Sequence, residues 1–216
     1  MSRHAALFDL DGVLVDTEGI YYTFWDNIEK IYPTGINDFA AFIKGSTLKK
    51  ILTYYTDDEV RRKVIAKLEE HEAQMRYVIF DGVYEFLEQL KDEGIPCAIV
   101  TSSNDDKLAK LFAQNPGFKD YFDVVITDSR VSRSKPDPQG YLLAAESLNC
   151  HPEDCFVFED SYSGLEAGRR SGAKVIGLTT TNPREGVARL SDMVIGSFNE
   201  LTVNKLLSLF AVAVEA

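Results

Sequence analysis

The sequence predicts an α/β protein with a doubly wound, Rossmann-like parallel sheet core and an inserted all-helical cap. Two observations predict this fold. Short, continuous apolar runs alternate with longer segments of helical periodicity, which is typical of a parallel sheet covered by helices on both faces. The alternation is interrupted once, directly after the first apolar run, by residues 17–78, which contain no convincing strand.

The strands and helices of the core follow from these two patterns. The apolar runs are short and rich in β-branched residues, so we predict strands at Ala5–Leu10, Cys97–Val100, Val124–Thr127, Phe156–Phe158, Lys174–Leu178 and Met193–Ile195. Between them, apolar residues recur every three or four positions with charges on the opposite face. This pattern predicts helices at Val83–Glu93, Asp105–Gln114, Pro138–Leu148, Tyr162–Ser171 and Glu200–Phe210.

The segment without strands is interpreted as a separate helical module. Its helices are predicted at Tyr22–Ile31, Phe39–Ile43, Leu48–Tyr55 and Glu59–Tyr77. We therefore predict a core domain formed by residues 1–16 and 79–216, with residues 17–78 as the cap domain. At helical spacing, aromatic residues of the first cap helix are expected to form cap core more than substrate contacts; these are Tyr21, Tyr22, Phe24 and Trp25. The tail Ala211–Ala216 is expected to fray.

Composition and charge exclude several classes of protein. The chain has 216 residues, of which 45% are hydrophobic, so it can bury a sizeable core and is not a disordered protein. Its 23 Lys and Arg residues against 34 Asp and Glu residues give a formal net charge of −11. Such an acidic surface repels phosphate backbones, so we expect no nucleic-acid partner. A phosphate ligand would need a metal ion or a few local cations.

The sequence also bears on compartment and partners. No apolar run approaches the roughly 20 residues of a membrane span, and the N-terminal residues do not resemble a signal peptide. The three cysteines, Cys97, Cys150 and Cys155, do not form the pattern of a disulfide framework. We expect a cytoplasmic protein with no membrane partner, monomeric, with a dimer as the alternative.

Polar residues follow several of the predicted strands. Parallel strands place their carboxyl ends at one edge of the sheet, where ligands of open α/β sheets bind. Asp9 and Asp11 lie two positions apart, so an extended chain would point both to one side. The other polar residues expected at this edge are Thr101 and Ser102, Lys135, and Glu159 and Asp160.

These residue types together indicate a magnesium-dependent phosphate site. Each close pair among four crowded carboxylates costs about 4 kcal/mol at an effective dielectric constant near 20, which a divalent cation would relieve. An all-oxygen ligand set favours Mg²⁺, which keeps waters and binds substrate phosphate. Lys135, the hydroxyl of Thr101 and the N–H groups that follow it, including that of Ser102, suit the phosphate. One carboxylate could then attack phosphorus while a second moves a proton.

In order and spacing, four short motifs resemble those of the haloacid dehalogenase superfamily, and most closely its β-phosphoglucomutase-like phosphatase branch. They are Asp9-Leu10-Asp11-Gly12-Val13, Thr101, Lys135-Pro136 and Glu159-Asp160. That branch carries a helical cap just after the first motif, where the strand-free segment lies here. The resemblance covers nearly the whole chain.

The resemblance implies a role for each motif residue. Asp9 would be the nucleophile that forms an aspartyl-phosphate, and Asp11 would protonate the leaving alkoxide and then activate water. Thr101 and Lys135 would bind the transferred group. Mg²⁺ would be held by a carboxylate oxygen of Asp9, the backbone carbonyl of Asp11 and the carboxylate of Asp160, with Glu159 either direct or one water away. The expected activity is hydrolysis of a small phosphorylated metabolite, such as a sugar or polyol phosphate.

Three other functions fit the sequence less well than a phosphatase does. β-Phosphoglucomutases carry an arginine shortly after a cap glycine and a histidine early in the cap. Here Gly45 is followed by Ser46, Thr47, Leu48 and Lys49, and the early position holds Tyr21. Both departures disfavour this isomerase. Dehalogenases lack the second aspartate of the first motif, whereas Asp11 is present. A binding protein on the same scaffold is disfavoured because no motif position has been lost.

Overall fold

The computed structural model describes residues 4–211, with only the backbone of Ala211, so the rest of the tail expected to fray lies outside the described residues. Six parallel strands form one sheet in the order β3-β2-β1-β4-β5-β6. The strands are β1 (Ala5–Phe8), β2 (Cys97–Val100), β3 (Val124–Ile126), β4 (Cys155–Glu159), β5 (Lys174–Leu178) and β6 (Met193–Ile195). The predicted α/β fold class is confirmed.

Strand β1 lies at the centre of the sheet, and every one of its residues is buried. Leu7 is in register with Ala98 of β2 on one side and with Val157 of β4 on the other. One pairing continues past the strand, because the backbone N–H of Asp9 donates to the carbonyl oxygen of Phe158 at 3.0 Å. The chain order reverses on either side of β1, and ligands bind beyond the carboxyl ends of the strands at such a switch point.

The core helices cover both faces of the sheet. Successive strand residues point to opposite faces, so Phe8 packs in one buried cluster and Leu7 in the other. Phe8 stacks on Phe158, with ring centroids 4.5 Å apart. Helices α5 (Val83–Asp92), α6 (Asp105–Gln114) and α10 (Val203–Ala211) contribute to the Phe8 cluster, and α7 (Gln139–Ser147) and α8 (Tyr162–Ser171) to the Leu7 cluster.

Residues 18–74 form four helices and, within this described range, no strand. The helices are α1 (Glu18–Ile31), α2 (Phe39–Phe42), α3 (Leu48–Leu52) and α4 (Asp58–Gln74). Their buried apolar residues make a hydrophobic cluster separate from the two clusters of the sheet, with Phe24, Trp25 and Phe39 at its centre. This cluster is what the predicted cap requires, and the exact domain boundaries stay a prediction.

A few element boundaries differ from the prediction. β1 ends at Phe8 and not at Leu10, because the carbonyl oxygen of Leu10 accepts hydrogen bonds from Val13, Leu14 and Val15 in a tight turn. The sequence prediction missed one short helix, α9 (Arg184–Ala188). Among the helices that the structure describes, none has the length and apolar character needed to cross a bilayer.

Candidate active site

A cavity opens beyond the carboxyl end of β1, between the sheet and helices α1–α4. Its empty volume is about 840 Å³, including space open to solvent. Asp9, Asp11, Thr101, Ser102 and Asp160 line it from the sheet edge. The structure therefore brings together residues that lie far apart in the sequence, and it places Asp9 and Asp11 on one cavity as the sequence predicted.

Lys135 joins the first and last motifs at the bottom of the site. Its Nζ donates to Oδ1 of Asp9 at 2.6 Å and to Oε1 of Glu159 at 2.5 Å. The side chain of Lys135 is 7% exposed, and that of Glu159 is fully buried. When both carboxylates are ionised, the ammonium group faces two negative charges with one positive charge, so the cluster is then net negative.

Both carboxylate oxygens of Glu159 are already occupied by protein donors. Oε1 also accepts from the hydroxyl of Tyr141 at 2.8 Å. Oε2 accepts from the backbone N–H of Asp160 at 3.1 Å and from the N–H and hydroxyl of Ser161. This arrangement leaves little room for Glu159 to bind an ion directly, and it favours the contact through one water.

Asp160 is in the opposite situation. It is 1% exposed, and among the described residues neither of its carboxylate oxygens has a hydrogen-bond partner. Ligand atoms of Asp9, Glu159 and Asp160 all lie within 4.8 Å of one another. Buried carboxylate oxygens without partners are costly, and a hard cation with oxygen ligands would satisfy them. The donor set therefore fits Mg²⁺.

The pKa values of Asp9 and Asp160 also indicate a site that a cation would stabilise. Burial raises the pKa of Asp9 to about 8, with the charge of Glu159 adding to the rise and Lys135 opposing it. Burial also raises the pKa of Asp160 well above its usual value, and the charge of Glu159 adds to this. Burial disfavours the charged form of Lys135, but Asp9 and Glu159 outweigh it and raise the pKa of Lys135. A bound cation would favour the ionised carboxylates.

Asp11 is held by three neighbours on the other side of the cavity. Oδ1 accepts from the hydroxyl of Thr17, Oδ2 accepts from the hydroxyl of Ser103 at 2.9 Å, and both oxygens accept from Nζ of Lys107 at 2.6 Å. Burial alone would raise the pKa of Asp11, but Lys107 and these hydrogen bonds lower it below its usual value. Asp11 is thus held as a carboxylate.

Three hydroxyls of the core bind the loop that follows α2. Ser102 donates to the carbonyl oxygen of Gly45 at 2.8 Å, and Ser163 donates to that of Lys44 at 3.0 Å. A third contact joins the hydroxyls of Thr47 and Ser134, 2.7 Å apart. The hydroxyl of Ser102 therefore serves the cap contact, so its predicted contribution to phosphate binding would come from its N–H group. Thr101, 5% exposed, lines the cavity as expected.

Gly45 allows this close approach. Its φ of +74° lies in the left-handed region that favours glycine. A Cβ atom at this position would lie 2.8 Å from the hydroxyl of Ser161 and closer still to that of Ser163. Any larger residue at position 45 would push the loop away from the core.

Sequence reasoning missed four charged residues that line the cavity, Glu18, Lys44, Glu72 and Lys107, and the last two carry a signal in the sequence. Lys107 on α6 lies four residues before the fully buried Leu111, on the apolar face of its helix. Glu72 on α4 continues the buried row of Val64 and Leu68 at the same spacing. A charged side chain on the apolar face of a helix needs a partner, and here the partners face the cavity.

The cap aromatics are divided between the two roles weighed for them. Phe24 packs in the cap cluster, as expected. Trp25 belongs to the same cluster and also lines the cavity, together with Tyr21 and Tyr22. Three aromatic side chains of α1 therefore line the cavity.

Comparison with known proteins places this site in a family context. The sequence profile of the haloacid dehalogenase-like hydrolases matches residues 6–178. The chain is 32% identical to hexitol phosphatase A of Escherichia coli (strain K12), covering 92% of this chain and 93% of that protein. It is 31% identical to validoxylamine A 7'-phosphate phosphatase of Streptomyces hygroscopicus subsp. limoneus, covering 91% and 94%. A β-phosphoglucomutase structure from Clostridium difficile has the same fold over 100% of both chains, with a TM-score of 0.82 and 20% identity.

Proposed function

This chain belongs to the haloacid dehalogenase-like hydrolase family, and on that premise we propose that it is a magnesium-dependent phosphatase of a small sugar or polyol phosphate. The enzyme class, a phosphoric monoester hydrolase, agrees with the activities named for its relatives. The cytoplasmic location, the monomeric state and the absence of nucleic-acid and membrane partners remain predictions from the sequence.

One observation carries the proposal: a nucleophilic carboxylate, a buried lysine and a carboxylate without partners converge at the central strand. Asp9 directly follows β1 and accepts a hydrogen bond from Lys135 at 2.6 Å. A carboxylate oxygen of Asp9 also lies within 4.8 Å of one of Asp160, whose oxygens have no partner among the described residues. This is the arrangement that nucleophilic attack on a phosphate ester requires: a positioned carboxylate with positive charge ready to offset the phosphoryl oxygens.

In the proposed reaction, one oxygen of Asp9 attacks phosphorus in line with the leaving alcohol. The P–O bond to that alcohol breaks as the bond to Asp9 forms, giving an aspartyl-phosphate. Lys135 and Thr101 bind the phosphoryl oxygens and hold them in place. The ion held by Asp9, Asp160 and the backbone carbonyl of Asp11 would neutralise charge on the phosphoryl group.

Asp11 is proposed to manage the protons of both half-reactions. Asp11, held as a carboxylate in the structure, first takes up a proton from solvent and passes it to the departing alkoxide. As the resulting carboxylate it then takes a proton from the water that attacks phosphorus. The phosphate is then released and Asp9 is regenerated. In the structure the oxygens of Asp11 accept from Thr17, Ser103 and Lys107, so at least one of these donors must yield before Asp11 reaches the leaving group.

The phosphatase is preferred over a β-phosphoglucomutase because of two residues on the cap wall. Tyr21 and Leu48 both line the cavity. Tyr21 stands where the resemblance leads one to expect a histidine in a mutase, and Leu48 belongs to the run after Gly45, which lacks the arginine expected there. Incubation of β-glucose 1-phosphate with a trace of the 1,6-bisphosphate should therefore yield free phosphate or no reaction. Clean formation of glucose 6-phosphate would reverse this ranking.

The direct test combines a substrate panel with one variant. Phosphate release from sugar and polyol phosphates is measured with Mg²⁺ and with EDTA, and the Asp9 peptide is analysed by mass spectrometry after acid quenching. We expect turnover only with the metal and a phosphoryl adduct on Asp9. The variant Asp9→Asn should remain folded without turnover. Substantial activity of this variant, or full activity in EDTA, would refute the proposal.

A further inference from the structure

The cavity walls beyond the phosphate end carry a specific pattern of charge. Among the described residues that line the cavity, Lys44 and Lys107 are the only cationic side chains. Nζ of Lys44 lies 3.7 Å from Oε2 of Glu18, and Nζ of Lys107 lies 2.6 Å from each oxygen of Asp11. Each cation therefore lies beside a carboxylate that offsets its positive charge.

A third carboxylate faces the same space. Glu72 is 7% exposed and lines the cavity, where it accepts a hydrogen bond from the hydroxyl of Tyr21 at 2.8 Å. Lys110, which lies 4.0 Å from Glu72, is not among the residues that line the cavity. Beyond the Asp11–Lys107 pair, the lining residues of the far walls thus present two carboxylates, of Glu18 and Glu72, against the ammonium group of Lys44. A second negative charge on a substrate would meet like charge here.

The remaining wall is suited to an uncharged group. Tyr21, Tyr22 and Trp25 present aromatic rings, and Leu48, Ile51 and Leu68 add aliphatic surface. Aromatic side chains with polar tips accommodate molecules that combine C–H surface with hydroxyl groups. Carboxylates that line a cavity accept hydrogen bonds from such hydroxyls.

We propose that the Glu18–Lys44 pair, with the carboxylate of Glu72 beside it, makes this cavity select leaving groups without negative charge. The substrates are then monophosphates of neutral sugars or polyols, and esters whose leaving group carries a carboxylate or a second phosphate are rejected. This inference rests on the proposed phosphatase function and narrows its substrate class.

The first experiment compares matched substrates. Glycerol phosphate and phosphoglycerate share the phosphate ester and the carbon chain and differ in a terminal alcohol or carboxylate. Assays run at about pH 8, above the pKa of about 7 to which burial and Asp11 raise Glu18, so that Glu18 is ionised. We expect kcat/KM to favour the neutral ester by at least about tenfold. Similar values for both esters would overturn the inference while leaving the phosphatase intact.

A different outcome would remove the premise. If neither ester nor p-nitrophenyl phosphate is hydrolysed with Mg²⁺ present, the proposed phosphatase function fails and this inference falls with it. The aryl ester, which needs no protonation of its leaving group, therefore separates the two failures.

The second experiment changes the charge of the wall. Glu18→Gln keeps the size of the side chain and leaves Lys44 without its carboxylate, so the ratio of kcat/KM for phosphoglycerate to that for glycerol phosphate should rise about tenfold. Lys44→Met leaves Glu18 unpaired and should lower the same ratio. Using a ratio removes any general loss of activity from the comparison.

The matched control lies on the same helix. Asp26→Asn also removes one negative charge from α1, but its partner Lys30, at 2.7 Å, is exposed on the surface. We expect the substrate ratio of this variant to equal that of the unmodified protein. An unchanged ratio in Glu18→Gln, or an equal rise in Asp26→Asn, would show that the Glu18–Lys44 pair does not set the preference for uncharged leaving groups.

Discussion

Lys107 and Asp11 form a buried ion pair across the site, with Nζ of Lys107 2.6 Å from both carboxylate oxygens although 96 positions separate the two residues. Lys107 is 3% exposed, and its Nζ also lies 4.2 Å from the ring centroid of Tyr21. One side chain of the core thus contacts both the proposed proton-transfer group and the cap.

Removal of Lys107 should destabilise the protein strongly. Lys107→Met leaves the Asp11 carboxylate largely buried without its cation, and breaking such a pair costs about 3 kcal/mol in the free energy of unfolding. The double variant with Asp11→Asn should recover part of this loss, as a double-mutant cycle in urea would show. Lys110→Met on the same helix, whose partner Glu72 is 4.0 Å away, is the control and should cost less than about 1 kcal/mol. Equal losses for both lysines would contradict the prediction.

The proton-transfer role of Asp11 should depend on the leaving group. Asp11→Asn cannot protonate an alkoxide, so kcat/KM for a polyol phosphate should fall by about 10²–10⁴. The fall for p-nitrophenyl phosphate should be much smaller, because its leaving group departs without a proton. Steady-state rates for both esters provide the measurement. Equal losses on the two substrates would show that Asp11 does not act on the leaving group.

The metal-free protein should lose stability as the pH rises. Because the pKa of Asp9 is raised from 3.8 to about 8, the folded chain keeps a proton that the unfolded chain has released. This contribution is complete below about pH 4 and is lost as the pH approaches about 8. The metal-free Tm of the unmodified protein should therefore fall more steeply over this range than that of Asp9→Asn. Parallel curves for the two proteins would contradict the pKa assignment.

Bound Mg²⁺ should favour the ionised form of the Asp9 and Asp160 carboxylates, whereas burial favours the protonated form. The ion favours ionised Asp9 and Asp160, so its binding should release protons and tighten as the pH rises. Mg²⁺ should then raise Tm more at about pH 8 than at about pH 6. Calorimetry in two buffers of different ionisation enthalpy would count the released protons. Binding that is independent of pH would count against these ligands.

The contact between the core and the loop after α2 should depend on the absence of a side chain at position 45. Gly45→Ala places a Cβ against the hydroxyls of Ser161 and Ser163, so kcat/KM should fall by about tenfold or more, since the loop must move. Gly35→Ala is the control: its φ of +78° gives similar backbone strain, but no atom lies within 4 Å of the added Cβ. It should cost about 1 kcal/mol of stability with activity retained. Similar activity losses in both variants would show that strain alone is responsible.

Much of the fold could be predicted because its signals are local. Buried parallel strands read as continuous apolar runs, and the helices between them carry amphipathic spacing, so element types and order follow from the chain itself. The end of β1 could not be predicted as easily, since the turn at Leu10 depends on backbone hydrogen bonds that composition does not reveal. Helix α9 has only five residues, too few for a periodic pattern.

The motif residues of the site were predictable because each follows a strand, whereas the residues around them were not. Nothing in the spacing of Lys107 relates it to Asp11; they meet because α6 follows β2, the strand that pairs with β1. The sequence also did not show that the carboxylate of Glu159 has hydrogen-bond partners in the protein and that of Asp160 has none among the described residues. This difference depends on Tyr141, Ser161 and Lys135, which occupy the first carboxylate and leave the second without partners.

The backbone hydrogen bond from Asp9 to Phe158 ties the end of β1 to β4, the strand that leads into Asp160. The carboxylates that we propose to attack phosphorus and to bind the ion thus follow adjacent strands of one sheet, to which residues 18–74 contribute no strand. Insertions, repacking or wholesale exchange of the helices above can alter what enters the cavity while the spacing of these two groups is preserved. New substrates are therefore accessible to this scaffold without rebuilding its reactive centre.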